Sequence, residues 1–71
     1  RASTSPEQEM AERLYAEGDF PMAAQAFLDA AKRSRAQRDL LTLRAAEAWR
    51  EDGQIEQARP LVEGMGERRL D

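Results

Sequence analysis

The amino-acid sequence predicts an all-α fold, with about four helices paired as two antiparallel hairpins. Three observations carry this expectation. Ala and Leu dominate the 41% of the 71 residues that are apolar, and the β-branched set is only two Thr, one Ile and one Val, a composition that favours helices over sheets. Apolar residues recur at helical spacing in successive segments. Finally, Gly18 and Gly53, 35 positions apart, each follow one such segment and precede another.

Residues 1–5 are polar and rich in Ser and Thr, and read as the end of a linker or tail. Ser5-Pro6-Glu7-Gln8 is a start signal: a hydroxyl at the N-cap, Pro at the first helical position and Gln8 to complete a capping box. Met10, Ala11, Leu14 and Tyr15 then follow at helical spacing until Glu17-Gly18-Asp19 stops the helix. Asp19 is placed to cap a second helix, whose stripe is Ala23, Ala24, Phe27, Leu28 and Ala31 and which runs to about Ser34 or Arg35. Lys32, Arg33 and Arg35 at its end oppose the negative pole of the helix dipole. A third helix is expected from about Asp39, with Leu40, Leu41, Leu43, Ala45, Ala46 and Trp49 apolar, ending before Asp52-Gly53-Gln54. The fourth, from about Ile55, carries Ala58, Leu61, Val62 and Met65. Pro60 inside it, with Gly64 and Gly66 behind, predicts a kinked or short helix that frays before Leu70. The expected organisation is therefore a tail at 1–5, a helical domain at 6–66 and a C-terminal tail at 67–71.

A chain this short buries only about 60% of its unfolded surface and offers no room for a large enclosed active site. Acidic residues exceed basic ones by three, 14 against 11, and the two signs are interspersed, as on solvated helix faces. Nucleic acid is thus a poor candidate partner. No run of about 18 apolar residues exists, so no membrane span is expected. The chain starts at Arg1 rather than Met, which predicts a longer precursor with any targeting segment upstream.

Aligning the two glycines superposes Leu14-Tyr15-Ala16-Glu17-Gly18-Asp19-Phe20 on Trp49-Arg50-Glu51-Asp52-Gly53-Gln54-Ile55. In both halves a large apolar residue lies four before Gly, another two after it, and Ala (Ala23, Ala58) five after it. Gly turns the chain, the flanking apolar residues staple the hairpin, and the small Ala lets the helices approach. The pattern resembles the tetratricopeptide repeat. Matched position by position, Ala11 and Ala46 are the small residues of the first helix, and Leu14 and Trp49 the large ones. Phe27 with Ala30, then Val62 with Met65, match the second helix. Glu7 and Thr42 stand where a bulky apolar residue is usual, Met65 replaces a small one, and the closing proline is absent.

A narrower resemblance spans Ala11 to Met65. Ala11-Glu12-Arg13-Leu14-Tyr15-Ala16-Glu17-Gly18-Asp19-Phe20, then Leu43-Arg44-Ala45-Ala46-Glu47-Ala48-Trp49 and Gly53-Gln54-Ile55-Glu56-Gln57-Ala58-Arg59, is similar to the N-terminal helical domain of the bacterial outer-membrane lipoproteins that activate penicillin-binding proteins. That resemblance implies a periplasmic module in peptidoglycan synthesis, anchored through an upstream lipidated cysteine and followed by a larger domain. Its implied protein partner is a penicillin-binding protein. The alternative is a free-standing cytoplasmic tetratricopeptide adaptor that binds a peptide or helix of a partner.

The chemistry-bearing residues point away from catalysis. There is no His and no Cys, which removes the commonest general base and the thiolate nucleophile, and no cofactor is expected. Glu47, Glu51 and Asp52 cluster at the end of the third helix and read as a solvated acidic face. Gly64-Met65-Gly66 lacks the strand-turn-helix setting of a phosphate loop and reads as a terminator. Trp49 reads as core. Tyr15 lies one residue past the core stripe, on the side that lines the concave face in tetratricopeptide proteins. That resemblance makes Gln8, Glu12, Tyr15, Leu40, Leu43, Glu47 and Arg50 the candidate partner-binding set of a non-catalytic interaction or spacer module.

Overall fold

The computed structural model describes residues 6–70, and the side chains of residues 6–64. Four helices follow one another: α1 (Pro6–Glu17), α2 (Phe20–Arg33), α3 (Arg38–Glu51) and α4 (Ile55–Leu70). The expected fold class, four helices in two antiparallel hairpins, is what forms. Main packing contacts run α1 with α2, α2 with α3 and α3 with α4, giving a flat body of 32 × 31 × 13 Å. Successive helices stacked in this way are compatible with a helical repeat.

The two hairpin turns are the same structure made twice. After α1, the Gly18 amide donates to the Tyr15 carbonyl at 3.1 Å and the Asp19 amide to Leu14 at 2.9 Å; after α3, Gly53 donates to Arg50 and Gln54 to Trp49, both at 2.9 Å. This pair of bonds is the Schellman closure, which needs a left-handed residue after the helix. Gly18 has φ +88° and Gly53 φ +83°, a region that a Cβ disfavours. Across the first turn, Tyr15 and Phe20 meet edge to face with ring centres 5.2 Å apart.

Alanine builds most of the interior. Buried are Ala11, Ala23, Ala24, Ala30, Ala31, Ala45, Ala46, Ala48 and Ala58, joined by Phe27, Leu41 and Trp49. Small side chains let helix backbones approach closely, and the three large ones complete the same buried cluster. Leu14 and Leu61 pack half-buried against this cluster. No described side-chain polar atom is buried without a partner.

Several expectations are corrected. Asp19 precedes α2, but its side chain makes no capping bond, and the residue before α3 is Gln37, likewise without one. The Ser5 cap lies outside the described residues. Val62, which the repeat places at the position of the core residue Phe27, is 45% exposed, because no described helix packs over the outer side of α4. α4 is neither interrupted nor short: it continues through Pro60 to Leu70. Proline removes the bond to the carbonyl of Glu56 four residues earlier; Glu56 and Pro60 are both solvent-exposed, so water can satisfy that carbonyl. Glu7, at a position usually apolar, pairs with Arg33 at 3.4 Å and ties the start of α1 to the end of α2.

Candidate protein-interaction face

One face of the molecule is built from α1 and α3, and the side chain of Arg44 links them. Arg44 on α3 donates from Nη2 to Oε1 of Glu12 on α1 at 2.7 Å, and from Nη1 to Oε1 of Glu47, one turn along α3, at 3.2 Å. Its guanidinium carbon also lies 5.2 Å from the Tyr15 ring centre and 5.3 Å from that of Phe27. A planar, always-charged group suits this double role of ion pair and ring contact. Burial opposes the charge on Arg44. The bond to Glu12 and electrostatic attraction to Glu12, Glu47 and Tyr15 more than offset that burial, leaving the guanidinium pKa above its ordinary value.

Tyr15 is thereby fixed from three directions: Phe20 and Phe27 meet it edge to face, the latter at 6.5 Å, and Arg44 lies over its ring. Beside it opens a groove of about 470 Å³ lined by Tyr15, Glu47, Arg50, Glu51 and Ile55. The groove has an aromatic and an aliphatic side chain within a charged rim. Arg50 and Glu51 are exposed, and Ile55 is half-exposed at the start of α4.

Of the seven candidate residues, Tyr15, Glu47 and Arg50 share this groove, and Glu12 is linked to them through Arg44. Gln8, half-buried, lies one turn before Glu12 on α1; Leu40 and Leu43, both exposed, lie on α3 before Glu47. These three do not line the groove. Arg44, Glu51 and Ile55 complete the site although none is in the candidate set: the sequence reads Glu51 as part of a solvated acidic face and Ile55 as a hairpin staple. The signal for Arg44 was available: Glu12 and Glu47 are 35 positions apart, the same place in successive repeats. Stacked repeats put such carboxylates side by side, where a cation between them is needed.

Among the described residues, no group of three or more acidic side chains is arranged to hold a metal ion, and no helix is long and apolar enough to cross a membrane. No protein-family model matches this chain, and it has no match among curated proteins or solved structures.

Proposed function

We propose that this chain is a non-catalytic protein-interaction module that receives a segment of a partner protein along the α1–α3 face. The observation that supports this reading best is the Arg44 clamp. It fixes Tyr15 and Glu47 beside an open groove, so the binding side chains are ordered before a partner arrives and less entropy is lost on docking. Aromatic residues and Arg are also the side chains that concentrate binding energy in interfaces.

The proposed setting comes from the sequence resemblance alone: the helical part of an outer-membrane lipoprotein on the periplasmic side, with a penicillin-binding protein as partner. Its test is calorimetric titration of the chain with the purified periplasmic part of a penicillin-binding protein from the same cell. Binding is expected, weakened by about tenfold or more in Tyr15→Ala and Glu47→Lys. No binding would overturn the choice of partner. Binding indifferent to both substitutions would overturn the choice of face.

A further inference from the structure

The internal repeat compares the outer side of α4 with a surface whose covering is known. In the first hairpin α2 is overlaid by α3: Ala24 and Phe27 are buried, and Leu28 is half-buried in a groove shared with Arg38 and Thr42 of α3. Thirty-five positions on stand Arg59, Val62 and Glu63. All three are exposed, and no described helix lies over them.

The changes of residue type say what can lie there. A further helix made like α3 would present the apolar stripe of Leu41, Ala45 and Ala48 to Arg59 and Glu63, setting apolar groups against two charges. The right occupant carries an acid for Arg59 and a base for Glu63, with an aliphatic residue between them. Among the described residues neither Arg59 nor Glu63 has an ion-pair partner, although they stand four apart on one helix.

We infer that α4 pairs antiparallel with α4 of a second copy of this chain, about a two-fold axis at the level of Leu61. Arg59 and Glu63 lie two residues either side of position 61. In an antiparallel pair centred there, Arg59 of each copy comes level with Glu63 of the other, and the two Val62 side chains meet near the axis. The interface is self-complementary, as a two-fold contact requires. It leaves Tyr15 and Glu47 of the proposed partner-binding face uncovered, so the two surfaces are independent.

The test is sedimentation equilibrium of the 71-residue chain from about 1 µM to 1 mM, the range in which a small interface associates. The mass is expected to rise from 8.0 kDa toward twice that value. Arg59→Glu and Glu63→Arg should each weaken association by about tenfold or more, because each sets like charges opposite one another. The double exchange R59E/E63R should restore it. The two single changes move the net charge of −3 two units in opposite directions, so general repulsion would strengthen association in one and weaken it in the other. Both positions are exposed, and helix content by circular dichroism confirms folding of each variant. A chain that stays monomeric throughout overturns the inference, as does association that ignores the single reversals or is not restored by the exchange.

Discussion

Replacing Phe27 and Val62 separately by Ala probes one repeat position in two environments. Phe27 is fully buried, packed with Tyr15 and Arg44, whereas Val62 is 45% exposed. Truncating a buried Phe costs about 3–5 kcal/mol through lost transfer energy and the cavity left behind. Val→Ala removes two carbon groups worth about 0.8 kcal/mol each when buried, and at roughly half burial the loss is about 1 kcal/mol or less. A domain of this size has on the order of 4–10 kcal/mol in total at the usual stability per residue. Phe27→Ala should therefore be barely folded, while Val62→Ala should melt about 4–8 °C lower at most. Urea unfolding followed by Trp49 fluorescence and by helix signal gives both values, measured at low concentration so that self-association does not enter. Equal losses at the two positions would refute the idea that α3 covers one and no described helix covers the other.

Gly18→Ala and Gly53→Ala should each cost about 1–2 kcal/mol: beyond the adjoining residues the added Cβ meets no atom within 4 Å at either site, so the loss reports positive φ alone. Unchanged urea midpoints in both would contradict the hairpin turns. Trp49, only 8% exposed, should emit at the short wavelengths of buried indole, and Trp49→Ala should cost about 3–5 kcal/mol; emission typical of water-exposed indole would show a different register. Arg44→Ala should destabilise by about 1–2 kcal/mol, the sum expected of a half-exposed ion pair and a ring contact, and should loosen Tyr15, seen as line broadening of its ring protons. Unaltered ring signals would mean that Arg44 does not hold the groove.

How much was legible in the sequence depended on whether the cause was local. Gly18 and Gly53 announced their turns because positive φ is a property of one residue. Phe27, Trp49 and the alanine stripe announced the core because helical spacing fixes which residues share a face. Val62 misled, since its burial depends on a neighbouring helix and not on its own place in the repeat. Pro60 misled for a related reason: the lost hydrogen bond is costly only where water cannot reach the freed carbonyl, and exposure at Glu56 is a tertiary property. Asp19 had the right side chain for a cap, yet the bond is not made. At the candidate site, Tyr15, Glu47 and Arg50 could be placed by register on α1 and α3. Arg44 differs from a solvated charge only through the 35-residue spacing of Glu12 and Glu47, which stacking turns into neighbours on either side of it.

The order in which the helices touch has a kinetic consequence. Since α1 meets α2, α2 meets α3 and α3 meets α4, most of the native structure closes over short stretches of chain, and chains of this kind fold in about microseconds to milliseconds. The first hairpin, with its own Gly18 closure, can form while the rest is still being made. The Arg44–Glu12 bond, which spans 32 positions, must wait until α3 exists. Organisation of the face around Tyr15 is thus a late step, completed when the second hairpin docks on the first.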